Sequence, residues 1–348
     1  MNAAAQPEDQ GDPMIEVHQL RREFGNLVAV EDVSFTIYQG QKVGFIGANG
    51  AGKTTTLRML ATLEVPNSGS IRIAGIDALD DPTILRGKIG WMPDAVGVYP
   101  DMTVLDYLDF FARANGLRGK IRQHRLEEIM AFTDLIELAD RDIRKLSKGM
   151  GQRLCLGRTL LHDPQVLLLD EPAAGLDPKA RIEFRNLVDH LAAEGKTILI
   201  SSHILSELGE MCDSLLFIDQ GRIVRHATMA ELMAGETAGG LYEVALADGN
   251  TSALVDWIET QPGISLQART AHRVTLELED REKTSAAVCL KKLIQAGLPV
   301  CEFRPLEKRL EQVFVEMVKS GAPNLAEVVQ TTPPPPPLPV ESSSENAK

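Results

Sequence analysis

Two groups of residues in this 348-residue chain have types and spacing that suit chemistry on a phosphate. The first is the segment GANGAGKT at residues 47–54, which follows the spacing G-x-x-x-x-G-K-[ST]. Its glycines let backbone N–H groups converge on phosphate oxygens, and the following helix start adds partial positive charge. Lys53 would reach the β- and γ-phosphates, and the Thr54 hydroxyl would ligate Mg²⁺. The predicted nucleotide contacts of this segment are Gly47, Ala48, Asn49, Gly50, Ala51, Gly52, Lys53, Thr54 and Thr55.

The second group consists of two acids and a histidine at the ends of apolar runs. VLLLDEP ends with Asp170 and Glu171, and ILISSHIL carries His203. Phosphate and metal sites form at the carboxyl ends of parallel strands, where Asp170 would hold Mg²⁺ directly or through water. Glu171 could accept a proton from an attacking water, and His203 could contact the γ-phosphate. Each residue alone also fits a simpler role, as a helix cap or a loop histidine, but their joint arrangement favours a hydrolytic site.

The elements that must position these residues alternate between strand and helix. MIEVHQL and VEDVSFTIY alternate apolar and polar residues, as half-buried antiparallel strands do. KVGFIG, VLLLD and TILIS are short apolar runs typical of buried parallel strands. TTLRMLATL, residues 103–138 and PKARIEFRNLVDHLAAEG read as helical. The order predicts an α/β fold with a mostly parallel sheet.

The character of the chain changes near residues 239–240 and again after residue 320. The predicted elements of this second module are strand 241–247, helix 252–261, strands 264–269 and 272–279, helix 281–296, strand 298–304 and helix 306–319. The first six follow the order of a ferredoxin-like split βαβ unit. Residues 1–13 and 321–348, which include PPPPPLP, are predicted to be disordered, and a solvated tail is favoured over a docking motif.

Composition excludes several classes of function. A net charge of −13 and a sequence pI near 5.1 argue against a nucleic-acid binder. The four cysteines are irregularly spaced, which predicts neither a zinc site nor a disulfide framework and fits a reducing, cytosolic compartment. No run approaches 18 apolar residues and the first residues lack a secretory pattern, so we expect no direct membrane insertion.

Three further motifs give the chain its resemblance to a known family. LSKGMGQRL at 146–154 resembles the signature LSGGQ-QRL, AGLDP at 174–178 resembles a D-loop, and SSHIL at 201–205 resembles an H-loop. Together with the phosphate loop and VLLLDEP, they resemble the ATP-binding subunits of ABC transporters over residues 14–235. The resemblance implies a P-loop NTPase domain over 14–237 with antiparallel β and helical subdomains. The shift in composition and the separate αβ pattern predict an accessory α+β module over 240–320.

The resemblance also assigns residues that spacing alone does not. The signature residues Ser147, Lys148, Gly149 and Met150 would lie at a helix N-terminus and bind the γ-phosphate of ATP held by the opposite protomer, so that two domains close head-to-tail over two ATP molecules. The resemblance also places Asp177 of the D-loop among the residues that contact the nucleotide. Phe24 would stack on the adenine.

Two departures from the family pattern bear on the site. Lys148 and Met150 replace a glycine and a glutamine of the signature, and Lys148 adds positive charge near the triphosphate. Asp94, which follows Pro93 in KIGWMPD, occupies the slot of the family's Q-loop glutamine. Its carboxylate could ligate Mg²⁺ directly or through water, or Asp94 could simply shape the turn. The two roles are compatible.

The ABC-2 export-type subfamily is the most similar group, because it pairs an LSKGM-like signature with a stretch like LEKRLEQVFVEMV at 306–318. The resemblance implies an ATPase using ATP and Mg²⁺, working as a homodimer or beside a similar ATPase. Its partner would be a multi-span permease, with this chain peripheral at the cytoplasmic face of the plasma (inner) membrane. Residues 100–140 would contact the permease, although an ordinary core role is favoured for most of their apolar residues. The module at 240–320 would serve dimer contacts or regulation.

Other classes of ABC protein fit the sequence less well. The alternative is a soluble, non-transport ABC ATPase acting as a nucleotide-gated regulatory switch. A ribosome-associated protein of the family would carry two such domains, and a chromosome-associated one would insert long coiled coils. A module that senses ATP without hydrolysis would be expected to lose Glu171 or His203, and both are present.

Overall fold

The computed structural model describes residues 11–95, 97, 101–234, 240–280 and 283–305. The predicted helix at 306–319, the Pro-rich tail and the first ten residues lie outside these ranges. So does most of the predicted boundary between the two modules, at 235–239.

A six-stranded sheet forms the centre of the first module, in the order β10-β9-β3-β8-β7-β6. Its strands are β3 (Lys42–Ile46), β6 (Ile89–Met92), β7 (Val166–Asp170), β8 (Thr197–Ser202), β9 (Ser214–Asp219) and β10 (Arg222–Thr228). All neighbours pair in parallel except β10, which is antiparallel to β9. Every residue of β7 and β8 is buried, as expected for strands covered on both faces. The mostly parallel sheet is therefore confirmed, and β6 forms its edge.

Helices cover this sheet and connect its strands. They are α1 (Lys53–Leu60), α2 (Pro82–Arg86), α5 (Lys148–Leu160), α6 (Pro178–Ala193), α7 (Leu205–Met211) and α8 (Met229–Ala234). Residues 47–52 join β3 to α1, residues 171–177 join β7 to α6, and residues 203–204 join β8 to α7. Because β3, β8 and β7 are neighbours, their carboxyl ends place three loops side by side.

An antiparallel sheet of order β2-β1-β4-β5 packs beside the central sheet. Its strands are β1 (Pro13–Phe24), β2 (Leu27–Tyr38), β4 (Ser68–Ile73) and β5 (Ile76–Asp77). Phe35 of β2 and Phe45 of β3 belong to one core cluster, with ring centroids 6.2 Å apart. Pro13 was predicted to lie in the disordered tail, and that boundary is wrong: Pro13 is the first residue of β1, a position where proline is tolerated.

The helical segment predicted over 103–138 consists of two helices, α3 (Val104–Ala114) and α4 (Gly119–Phe132), and a short 3₁₀ turn. The break falls where Gly116 adopts a positive φ of 81°. Thr103 and Asp106 form a reciprocal capping box that starts α3. Leu108 is fully buried, whereas Phe110 is 51% exposed, so one face of α3 packs into the core and another faces outward.

The second module contains a four-stranded antiparallel sheet of order β12-β13-β11-β14. Its elements are β11 (Gly240–Leu246), α9 (Thr251–Glu259), β12 (Ile264–Arg269), β13 (Val274–Leu278), α10 (Lys283–Gln295) and β14 (Val300–Pro305). This β-α-β-β-α-β order is the predicted ferredoxin-like arrangement. The module has its own core, built around Val244, Leu254, Leu276 and Leu293. In the described ranges no helix of either module combines the length and the apolar character needed to span a bilayer.

Candidate functional site

The phosphate loop joins β3 to α1 in a conformation that depends on its glycines. Gly52 has a φ of 105°, and a β-carbon there would lie 2.6 Å from the carbonyl oxygen of Ala29. A β-carbon on Gly47 would clash with the carbonyl oxygen of Ile218. The backbone therefore approaches its neighbours more closely than a side chain allows. The N-terminus of α1, with its unpaired N–H groups, faces the cavity beyond.

Lys53 is buried, with 5% of its surface exposed. Its Nζ donates to the carbonyl oxygens of Gly47 at 2.7 Å and Ala48 at 3.3 Å, and lies 3.5 Å from Oε1 of Glu171. Burial lowers the pKa of Lys53, and the charge of Glu171 opposes that shift. The ammonium is thus held by loop carbonyls and one carboxylate, which are contacts that phosphate oxygens can replace.

Asp170 ends β7 and accepts two hydroxyl hydrogen bonds. Its Oδ1 receives Ser201 Oγ at 2.6 Å and Thr54 Oγ1 at 3.2 Å. Burial raises the pKa of Asp170, and the charges of Glu171 and Asp94 push in the same direction. A buried carboxylate beside a hydroxyl is a hard-oxygen donor set that suits Mg²⁺.

No group of three or more His, Cys, Asp or Glu side chains able to hold a metal occurs in the described parts of the chain. Mg²⁺ is commonly bound by one or two carboxylates together with water and substrate phosphates, so a sparse donor set still fits it.

Glu171 has an unusual backbone and a direct contact to His203. Its φ is 48°, in the left-handed region that non-glycine residues rarely adopt, and its N–H donates to Ser201 Oγ at 3.0 Å. His203 Nδ1 lies 2.8 Å from Glu171 Oε2, and because an ionised carboxylate only accepts, Nδ1 carries the hydrogen. Residues held in such backbone conformations cluster at active sites. The pair forms a positioned carboxylate–imidazole unit at the end of the phosphate loop.

Asp170 is hydrogen-bonded to Thr54, and Thr54 shares one cavity of about 550 Å³ with Lys53, Glu171 and His203. This cavity is lined by Phe24, Leu27, Ala29, Asn49, Gly50, Gly52, Lys53, Thr54, Thr55, Asp94, Glu171, Ala174 and His203. Phe24 is 43% exposed at the rim, and the guanidinium of Arg22 lies 4.5 Å from the centre of its ring. The Arg22 cation thus covers one face of the Phe24 ring, and Phe24 also lines the cavity. This geometry suits the stacking of a flat ligand ring on Phe24.

The signature residues lie apart from this cavity. Ser147 caps α5, and its Oγ accepts the N–H of Met150 at 3.3 Å. A second cavity, of about 410 Å³, is lined by Ser147, Lys148 and Asp94 among others, so that Asp94 lines both cavities. Asp177 caps α6 and accepts the N–H of Ala180 at 2.9 Å. Within one chain, then, the signature residues and Asp177 do not line the cavity of the phosphate loop.

The sequence patterns did not single out Ser201, Arg22 or three residues that line the cavity, Leu27, Ala29 and Ala174. Ser201 contacts both acids through one hydroxyl, and Arg22 backs Phe24. The signal for Ser201 was its place beside His203 at the end of an apolar run. Arg22 and Phe24 are two residues apart in β1 and therefore lie on the same face of the strand, so this spacing was the signal for Arg22.

Comparison with known proteins gives consistent matches. A family model described as "ABC transporter" matches residues 30–174. The Nod factor export ATP-binding protein I of Ralstonia nicotianae is 38% identical over 232 residues, covering 67% of this chain and 72% of that protein. An uncharacterised ABC transporter ATP-binding protein of Bacillus subtilis, YxlF, is 33% identical over 310 residues, covering 88% of this chain and 99% of that one. The dimeric structure of a bacterial ABC transporter cassette aligns with a TM-score of 0.57 and 26% identity, covering 62% of this chain and 99% of that chain.

Proposed function

This chain belongs to the ABC transporter family as an ATP-binding, ATP-hydrolysing subunit, and on that premise we propose that it closes as a head-to-tail dimer over two ATP molecules to drive export through a separate membrane permease. The observation that carries the proposal is the convergence of Lys53, Thr54, Glu171 and His203 on one cavity, with Asp170 hydrogen-bonded to Thr54 beside it. Fixed donors, a metal-binding acid and a base at one phosphate site are the requirements of phosphoryl transfer.

Each residue has a role that follows from its contacts. The ammonium of Lys53 exchanges its loop carbonyls for the β- and γ-phosphates. Thr54 and Asp170 would hold a Mg²⁺ ion, which would neutralise phosphate charge when bound. Glu171 accepts the proton of the attacking water, and His203 holds the Glu171 carboxylate in place and faces the γ-phosphate. Asp94 lies close enough to raise the pKa of Asp170, which supports a role near the metal.

The adenine base of ATP is bound at the rim of the cavity. Phe24 stacks on the adenine from the face that Arg22 leaves open. Leu27 and Ala29 add apolar contacts beside it. The glycines and N–H groups of residues 47–55 surround the phosphates.

The separation of the signature from the phosphate loop supports a dimer. The N-terminus of α5 carries Ser147, Lys148, Gly149 and Met150 and suits an anion, yet these residues do not line the cavity of their own chain. In a head-to-tail dimer they complete the site of the partner. Asp177 and the D-loop lie between the two halves. A bacterial ABC transporter cassette of the same fold forms a dimer, which supports a dimeric assembly for this chain.

The proposed partner is a multi-span permease at the cytoplasmic face of the plasma membrane. The Nod factor export ATP-binding protein, which shares 38% identity, supports outward transport. Leu105, Phe110 and Ile121 on α3 and α4 are exposed apolar residues that would contact the permease. We assign the cassette to residues 14–237 and an accessory role in dimer contacts or regulation to residues 240–320. Truncation near residue 238 should change dimerisation, ATPase rate or transport.

A mixing experiment tests the head-to-tail dimer. Lys53→Ala removes the ammonium of the phosphate loop, and Ser147→Arg blocks the signature. In a head-to-tail heterodimer of the two variants, one site carries both lesions and the other carries neither. An equal mixture should therefore regain about a quarter of wild-type Mg²⁺-dependent ATPase activity, since half the dimers are mixed and half their sites are intact.

Each variant mixed with itself is the matched control and should stay inactive. If each site were built within one chain, every site in the mixture would carry one lesion and no activity would return. A Glu171→Gln protein that stays monomeric by size-exclusion chromatography in ATP and Mg²⁺ would also contradict the dimer.

A further inference from the structure

An ion pair whose carboxylate is buried links the helix after the D-loop to the helix after His203. Arg181 of α6 places Nη2 3.0 Å from Oε1 of Glu207 in the first turn of α7. The Glu207 side chain is 2% exposed, although acids are seldom fully buried. Its other oxygen, Oε2, accepts the hydroxyl of Ser202 at 3.1 Å. The carboxylate thus joins two elements of the site that are distant in sequence.

One end of this connection surrounds His203. Ser202 precedes the histidine and donates to Glu207, while its Oγ accepts the N–H of Ile204, which follows the histidine, at 3.0 Å. The backbone on both sides of His203 is therefore fixed to one hydroxyl. The histidine in turn places Nδ1 2.8 Å from Glu171.

The other end reaches the D-loop. Arg181 Nη2 also lies 3.5 Å from the carbonyl oxygen of Leu176, the residue before the cap Asp177. Burial raises the pKa of Glu207, and the charges of Arg181 and His203 lower it, so this carboxylate interacts electrostatically with both ends of the connection.

We propose that Arg181 and Glu207 are positioning residues for ATP hydrolysis, which orient His203 toward Glu171 and make that orientation depend on the D-loop. The inference rests on the proposed function, in which the D-loop lies at the dimer interface. Formation of the dimer would then be transmitted from Leu176 through Arg181, Glu207 and Ser202 to His203. Neither Arg181 nor Glu207 touches the reacting atoms.

The same two helices carry a matched control. Arg185 and Glu210, farther along α6 and α7, form an ion pair at 3.3 Å. The two arginines are equally exposed, at 36% for Arg181 and 35% for Arg185, whereas Glu210 is 60% exposed and Glu207 only 2%. Both pairs join α6 to α7, and of the two only the Arg181–Glu207 pair contacts Ser202. A purely structural role for the Arg181–Glu207 pair predicts a lower melting temperature with normal turnover per folded molecule.

The test compares steady-state ATPase kinetics of the full chain with Glu207→Gln, Ser202→Ala and Glu210→Gln. Because a misplacement of about 1 Å in a catalytic constellation can cost about 100-fold, Glu207→Gln should lower kcat between about 10- and 100-fold. Its KM for ATP should stay within about twofold, since the phosphate contacts are untouched. Ser202→Ala should lower kcat about threefold to tenfold by the same mechanism. Glu210→Gln should match the wild type.

A double-mutant cycle tests the link to the D-loop. Arg181→Met and Glu207→Gln should each lower kcat, and the double variant should be no slower than the slower single variant, because both changes break one path. Multiplicative losses would refute the shared path.

A Glu207→Gln protein with wild-type kcat per folded molecule would overturn the proposal. If that variant fails to fold, a wild-type kcat for Ser202→Ala would do so. Retention of turnover by Glu171→Gln would instead contradict the proposed function itself, so the two failures can be told apart.

Discussion

Replacing Glu171 with glutamine tests the chemistry assigned to the cavity. The side chain keeps its size and its place beside His203, but it loses the charge and the ability to accept a proton. In the structure Glu171 contacts Lys53 at 3.5 Å and His203 at 2.8 Å. The substitution should therefore separate two events, binding of ATP and hydrolysis of ATP.

The substitution should slow the hydrolysis of ATP but should not weaken the binding of ATP. General-base catalysis contributes about 10²- to 10⁴-fold, so kcat should fall by that factor, or about 3 to 5 kcal/mol of transition-state stabilisation. The attraction between charges 3.5 Å apart is about 5 kcal/mol at an effective dielectric constant of 20, before hydration is counted. Removing the carboxylate frees Lys53 for phosphate and removes repulsion of the γ-phosphate. ATP should bind as tightly as to the wild type, or more tightly.

The measurements are phosphate release under saturating ATP and Mg²⁺, and titration with a fluorescent ATP analogue. Glu194→Gln, at the exposed glutamate that caps the C-terminus of α6, is the matched control and should leave both quantities unchanged. Turnover by Glu171→Gln within about threefold of wild type would refute the assignment, because a general base contributes at least about 100-fold. A large loss of ATP affinity would refute the role of Lys53 as the group that Glu171 releases.

Three further predictions concern the acids and the thiols. Burial raises the pKa of Asp170 above that of an unfolded aspartate, so the contribution of Asp170 to stability is complete below the unfolded pKa and is lost as the pH rises through the folded pKa. Without nucleotide or Mg²⁺, the Asp170→Asn variant should therefore melt at a higher temperature than the wild type at pH 7 and lose this advantage toward pH 4. A lower melting temperature of the variant at pH 7 would contradict the prediction. Asp94→Ala should raise the Mg²⁺ concentration for half-maximal ATPase activity about tenfold, as loss of a group near a metal does, and Asp94→Gln should raise it less. An unchanged Mg²⁺ requirement in Asp94→Ala would leave Asp94 as a turn residue only. Burial raises the pKa of Cys289 to about 11 and also raises the pKa values of Cys155 and Cys212, whereas Cys301 is exposed. A thiol reagent at pH 8 should therefore modify Cys301 first in the native protein. Equal rates of modification at all four cysteines would contradict the burial of Cys155, Cys212 and Cys289.

Most of the fold could be predicted because its elements carry local signals. The continuous apolar run before Asp170 indicates a strand buried on both faces, and the spacing of residues 47–54 indicates the phosphate loop whatever surrounds it. The boundaries were less accurate where a local signal had two meanings. Pro13 reads as a tail residue but starts β1, and Gly116 divides a helical stretch that periodicity alone joined.

The sequence by itself determined the residue types and their order: a phosphate loop, a strand ending in two acids, a signature and a histidine after a strand. Only the tertiary structure decided which of them meet. Strand order is a non-local property, and placing β8 between β3 and β7 brings Ser201 to Asp170 and His203 to Glu171. The same packing separates Ser147 from the phosphate loop of its own chain, and it joins Arg181 to Glu207 across two helices. Spacing along the chain records none of these contacts, because each depends on how distant elements fold against one another.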